Sequence, residues 1–185
     1  MNGIECGCSH EPTKAEEANF MTKTQILKHL RAANEVAKAG VEEGHHPFGA
    51  VLIAPDNNTV LLSQFNLDTV NHAESVLARE AAKRYSFDFL WNCTLVTTVE
   101  PCVMCSGTQY WANIGHLVYG MTEEELLKYT GNHPQNPTLS FPCRQVFSRG
   151  QKDIKVIGPV SGDDGGIQEE ITTLHKHFWS THPVD

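Results

Sequence analysis

The chain has no apolar run approaching the roughly 20 residues that a bilayer-spanning helix needs, so no transmembrane segment is expected. It has no Lys/Arg cluster beyond isolated pairs such as Lys83-Arg84. With 14 basic against 22 acidic side chains, and a formal net charge of −8, it lacks the basic footprint that a nucleic-acid backbone demands. A small, diffusible substrate fits this balance better than a polynucleotide. No N-terminal stretch joins basic residues to a continuous apolar core, so no secretory signal is read. The six cysteines do not form a disulfide framework either. Cys102 and Cys105 make a C-x-x-C pair, Cys93 sits in an apolar strand pattern, and Cys143 follows Phe-Pro. A reducing, cytoplasmic setting is the expectation. Internal repeats are absent.

What is present is an ordinary globular composition, 40% hydrophobic and 19% charged, over 185 residues. That is enough for one domain with a sizeable core. Residues 1–21 are polar, acidic and aperiodic and read as a tail, leaving 22–185 as the domain. The tail carries Cys6, Cys8 and His10, a weak metal motif in polar surroundings. Thr24 is a candidate cap for a helix whose apolar stripe runs Ile26, Leu27, Leu30, Ala33, Val36, Ala37 and Val41. Phe48–Ala54 and Thr59–Phe65 flank the turn 55–58 and read as a hairpin. A helix from Ala73 to about Tyr85, a strand Cys93–Val99 and a helix from Cys102 to about Trp111 follow. Then come a strand over 117–120, a short acidic helix over 123–128, a Pro/Asn loop over 130–142, a strand over 154–158 and a last helix over 166–179. This α-β-β-α-β-α-β-α-β-α order predicts an α/β fold, a three-layer α-β-α sandwich around a five-stranded mixed sheet.

Two short motifs carry the chemistry: His72-Ala73-Glu74 and Pro101-Cys102-Val103-Met104-Cys105. One imidazole and two thiolates give three protein ligands for Zn²⁺, leaving a fourth tetrahedral position for water, as in catalytic rather than structural sites. Glu74, two residues after the ligating His72, is then free to move that water's proton. Both motifs fall where helices are expected to begin, and unpaired N–H groups and the helix dipole favour thiolates there. A structural zinc needs a fourth protein ligand, and no nearby Cys or His stands at finger-like spacing. A thioredoxin-like redox role for the C-x-x-C pair leaves His72-Ala73-Glu74 without a purpose.

Together with Pro47-Phe48-Gly49-Ala50-Val51, Tyr110-Trp111-Ala112 and Val118-Tyr119-Gly120, these motifs resemble the cytidine and deoxycytidylate deaminase superfamily. Within it they look like the guanine deaminase and tRNA adenosine deaminase branches. The resemblance spans residues 23 to about 120. It implies a cytidine deaminase-like fold, one Zn²⁺ per chain held by His72, Cys102 and Cys105, and Glu74 as the proton shuttle. It further implies that Asn66, the Ala73 backbone N–H, Phe48 and Trp111 meet the substrate, and that the chain forms a homodimer. The alternative reading of Asn66 is a turn cap, and Phe48 and Trp111 read equally as core. The sequence departs from the guanine deaminase pattern at His45-His46, where Gly-Gly is usual, and at Asn71, where a small residue is usual. Residues 129–142 and the C-terminal helix, where Phe178 and Trp179 read as a packing stripe, do not match guanine-selecting positions.

The leading expectation is a zinc aminohydrolase of a small purine-like base or nucleoside, guanine to xanthine first. A tRNA adenosine deaminase is the alternative, disfavoured by Asp163, Asp164, Glu169, Glu170 and Asp185 where a basic tail would be needed. Other readings are a deaminase of cytosine or another aminated heterocycle, and a non-catalytic zinc-binding scaffold.

Overall fold

The computed structural model describes residues 21–161 and 165–182. The Cys6, Cys8 and His10 motif, Asp163, Asp164 and Asp185 lie outside the described residues. The elements run α1 (Lys23–Glu42), β1 (Gly49–Ile53), β2 (Val60–Phe65), α2 (Ala73–Arg84), α3 (Phe87–Trp91), β3 (Thr94–Val99), α4 (Val103–Ala112), β4 (His116–Met121), α5 (Glu123–Thr130), α6 (Cys143–Phe147), β5 (Lys155–Ile157) and α7 (Ile167–Thr181). No helix among the described residues is long and apolar enough to cross a membrane.

The strands form one five-stranded sheet in the order β2-β1-β3-β4-β5. β1 is antiparallel to β2 and β3, whereas β3–β4 and β4–β5 are parallel. Helices cover both faces, which is the expected three-layer mixed sandwich. Alternation along the strands divides the core. Ala50, Leu52, Leu95, Leu117 and Tyr119 point to the side of α2, α3, α4 and α6. Val51, Ile53, Val96 and Val118 point to the side of α1, α5 and α7. The inner strands β1 and β3 are buried at every residue, β1 as a continuous apolar run and β3 with three threonines among its apolar residues, while edge strand β2 is partly exposed.

Three details differ from the sequence expectations. The cap of α1 is Thr22 rather than Thr24. Its hydroxyl accepts from Gln25 N while the Gln25 side chain reaches back to Thr22 N, a capping box that fixes the start two residues earlier. The helices α3 and α6, five residues each, were not expected, because barely more than one turn shows no 3.6-residue period.

α1 lies directly on the beginning of β1. A Cβ on Gly49 would stand 2.2 Å from Ala33 O and 2.5 Å from Ala37 N, so only glycine allows this approach. The contact holds the residues just before β1, His46–Phe48, at one end of the sheet. Gly49→Ala is therefore expected to destabilise the protein by on the order of 3 kcal/mol or more, because the obstacle is helix backbone that cannot move aside. Gly107→Ala, with open space around the added methyl, is expected to stabilise α4 by about 0.5–1 kcal/mol. Urea unfolding midpoints of the two variants check both signs.

Candidate metal and active site

His72 and Cys102 occupy equivalent positions. Each is the N-cap of its helix in extended backbone (ψ 150° and 174°), and neither side chain is used to cap its own helix. Both are therefore free to face forward into the space where α2 and α4 begin. Cys105, one turn into α4, joins them. His72 Nδ1 lies 3.6 Å from each sulfur, and the two sulfurs are 3.6 Å apart. At ordinary zinc–ligand lengths and a tetrahedral angle, S···N separations come to about 3.6 Å and S···S to about 3.8 Å. The triangle is thus already of the size that one Zn²⁺ requires, and it is the metal-ligand cluster found among the described residues.

The surroundings suit a cation. A hydrogen bond to the Thr69 backbone engages the His72 ring, leaving Nδ1 toward the sulfurs. The turn before His72 is stiff: Asp68 Oδ1 accepts from Val70 N (2.8 Å) and Asn71 N (2.7 Å), and Oδ2 accepts from Asn71 Nδ2 (2.8 Å). This explains the unusual Asn71, whose side chain completes the turn. Ser75 Oγ donates to Cys105 Sγ at 3.3 Å. The hydrogen bond between the two sulfurs lowers Cys102 to about 4 and, with burial, pushes Cys105 well up. The same Cys102 sulfur raises His72 to about 9 through their hydrogen bond. A divalent ion held by these three residues would supply the positive charge that these protons supply without it, with two thiolates and a neutral imidazole as ligands.

Glu74, only 4% exposed, stands beside the triangle with Oε2 3.5 Å from Cys105 Sγ and Oε1 accepting from Thr97 Oγ1 at 2.8 Å. Burial raises its carboxyl above the usual range, against the opposing pull of His72. Such a carboxyl is primed to hold a proton that an exposed glutamate would lose.

The remaining predicted residues divide. Ala73 is the first residue of α2, between His72 and Glu74. Phe48 adjoins Gly49, whose carbonyl lies 3.4 Å from the same Thr97 hydroxyl, and its ring meets His175 edge-on at 5.1 Å. Asn66 is buried; its N–H bonds Phe48 O and its Nδ2 donates to Asp68 O, so it ties the Phe48 segment to the turn before His72. Trp111 is not brought to the cluster. It is 79% exposed on α4, beside an open groove shared with Ala78, Ala82, Met104 and Gly107.

Glu123 and His133 were missed in the sequence, and His46 was noted there only as a departure from the guanine deaminase pattern. Glu123, half-buried at the start of α5, is raised to about 7, by burial first and then by the charges of Cys102, Glu74 and Glu100. His46 is lowered by burial, with His133, His72 and His182 adding to the effect. Its ring packs against Trp179 (5.2 Å) and Phe178 (5.7 Å), and its Nε2 lies 3.2 Å from Gln135 Oε1. His133 reaches the His182 carbonyl (2.8 Å) and the Trp179 ring (4.9 Å). The 130–142 loop and the end of α7 therefore join His46 in an aromatic and imidazole wall. The acidic start of α5 gave no sign of Glu123; His45-His46, residues 129–142 and the Phe178-Trp179 pair stood out in the sequence, but not their meeting.

Residues 23–121 match the family described as the cytidine and deoxycytidylate deaminase zinc-binding region. The chain belongs to this family. It is accordingly a zinc-dependent deaminase, an enzyme of hydrolytic C–N cleavage. A probable cytosine deaminase of Schizosaccharomyces pombe is 33% identical over 167 residues, 86% of this chain and 98% of the relative. A tRNA-specific adenosine deaminase of Bacillus subtilis is 32% identical over 102 residues, 52% of this chain and 62% of the relative. A solved structure of guanine deaminase from Nitrosomonas europaea shares the fold, with a TM-score of 0.64 at 18% identity over 97% of this chain and 100% of that one.

The geometry makes a direct prediction about metal content. The single variants His72→Ala, Cys102→Ser and Cys105→Ser are each expected to retain less than about a tenth of the wild-type zinc after dialysis against a weak chelator. Glu74→Gln is expected to keep about one zinc per chain. Elemental analysis by mass spectrometry distinguishes ligand from bystander.

Proposed function

We propose that the protein deaminates a small, uncharged nucleobase, exchanging an exocyclic amine for oxygen with release of ammonia. The observation that carries this reading is the juxtaposition of the His72–Cys102–Cys105 triangle with the buried Glu74, behind a wall of neutral rings. His46, Phe48, His175, Phe178 and Trp179 offer apolar faces and few charges, as a planar base requires. None of these wall residues is Lys or Arg. Arg144, near the site beside Glu123, is engaged by the carbonyls of Val156 (3.1 Å) and Gly158 (2.9 Å). A phosphate on the substrate has no evident partner among these residues, which argues against nucleotides and against a polynucleotide.

Zinc, when held by the triangle, supplies the Lewis acidity that makes water nucleophilic near neutral pH. Glu74 takes one proton from the attacking water and passes it to the ring nitrogen next to the reacting carbon. It then takes the second proton from the hydroxyl so placed on that carbon and gives it to the amine, which leaves as ammonia while the carbonyl forms. One carboxyl serves both purposes because base and acid steps follow one another. The Ala73 N–H and Asn66 are suited to hold the base's carbonyl edge, Phe48 to pack on its face, and Glu123 to accept from a ring N–H. The partnered homodimer implied by the sequence resemblance has an available surface in the α2–α4 groove around Trp111.

Between bases, similarity along nearly the whole length of a probable cytosine deaminase supports cytosine. The likeness to guanine deaminase is one of fold. Cytosine therefore comes first and guanine, the earlier expectation from sequence, second. Ammonia release from cytosine, guanine, adenine, their nucleosides and a tRNA decides the matter. Turnover of a free base by wild type and a loss of at least about a thousandfold in Glu74→Gln are expected. Turnover of tRNA alone, or undiminished turnover by Glu74→Gln, contradicts the reading. The same preparation is expected to sediment as a dimer.

A further inference from the structure

We propose that Thr97 is a positioning residue for Glu74, its hydroxyl holding the proton-carrying carboxyl in one orientation. The proposal rests on Glu74's role in deamination as given above.

Thr97 lies in the middle of β3, paired with Ala50 on one side and Tyr119 on the other, and is fully buried. Its companions on that face of the sheet are the apolar Leu95, Ala50, Leu52 and Leu117 and the ring of Tyr119. A valine of nearly the same shape would suit this layer at least as well, so packing does not explain a hydroxyl here. The hydroxyl stands 2.8 Å from Glu74 Oε1 and 3.4 Å from Gly49 O. Its neighbour Thr98 accepts from Gly49 N at 3.3 Å on the opposite side of the strand. The Thr97 hydroxyl has one proton, and the shorter contact assigns it to Glu74 rather than to the Gly49 carbonyl.

A carboxyl on three rotatable bonds does not hold one orientation by burial alone. With Oε1 bound to Thr97, Oε2 is directed toward Cys105 Sγ at 3.5 Å, the side where the metal and substrate meet. Without the hydroxyl, the carboxyl is free to turn about its last bond, and misorientation of a proton-transfer group by a fraction of an ångström is costly to the chemical step while leaving substrate affinity intact. The backbone of β3 fixes Thr97, and its hydroxyl in turn fixes Glu74.

The test compares Thr97→Val with Thr97→Ser in the zinc-loaded protein, using cytosine or guanine, whichever the wild type turns over. Thr97→Val is expected to keep about one zinc per chain and a KM within about threefold of wild type, while kcat falls on the order of tenfold to a hundredfold. Thr97→Ser is expected to recover kcat to within about threefold. Wild-type kcat in Thr97→Val, or a Thr97→Ser variant as impaired as the valine one, overturns the proposal. If Thr97→Val does not fold, Thr97→Ala takes its place under the same criteria. A crystal structure of the zinc-loaded valine variant gives a readout independent of turnover. A Glu74 carboxyl rotated off its wild-type orientation supports the proposal, and an unmoved one overturns it. Retained turnover in Glu74→Gln would instead defeat the underlying reading of Glu74.

Discussion

The structure depends on the approach of two helix N-termini to within metal-bridging distance. α2 and α4 lie side by side on one face of the sheet, and their first residues deliver His72, Cys102 and Cys105 to the corners of a triangle 3.6 Å on each side. Small residues make this spacing possible: Ser75 Oγ and Thr108 Oγ1 are 3.4 Å apart across the helix pair. The partial positive charge at each N-terminus favours the thiolate and carboxyl groups gathered there. A bound cation in turn offsets the repulsion among them. Zinc binding and the helix pairing therefore stabilise one another.

From that centre outward, the site is organised in two parts. The inner part is rigid and polar, built from helix starts, the Asp68–Asn71 turn and the β3 hydroxyls. The outer part is a wall of rings drawn from three distant stretches: the residues before β1, the 130–142 loop and the end of α7. His175, fully buried, accepts from Trp179 Nε1 at 3.3 Å and is lowered to about 3 by burial, so it stays neutral at physiological pH. The metal triangle, Glu74 and the residues before β1 lie within the family's matched region, residues 23–121, whereas the 130–142 loop and α7 lie beyond it.

This division also governs what was legible in the sequence. The inner part repeats short, spaced motifs at predictable helix starts, so His72, Glu74, Cys102 and Cys105 could be read directly, as could the mixed sheet. The outer part is assembled by contacts 89 residues apart in the chain, as between His46 and Gln135, and no local pattern encodes such a meeting. Thr97 was hidden because threonine is common in buried strands. Glu123 was hidden because an acidic helix start reads as a solvated one. Trp111 was drawn into the site by its motif, yet helical periodicity turns it outward while its neighbour Cys105 faces inward.

The claim that most needs a direct test is that three protein ligands, and no fourth, hold the zinc. X-ray absorption at the zinc K-edge on the purified protein measures this shell. The account predicts two sulfurs at about 2.3 Å and light-atom scattering at about 2.0–2.1 Å that includes a single imidazole, with one sulfur lost in Cys102→Ser if residual metal is captured. A shell of three or four sulfurs, or of two imidazoles beside the two sulfurs, would make the site a closed structural one and contradict it.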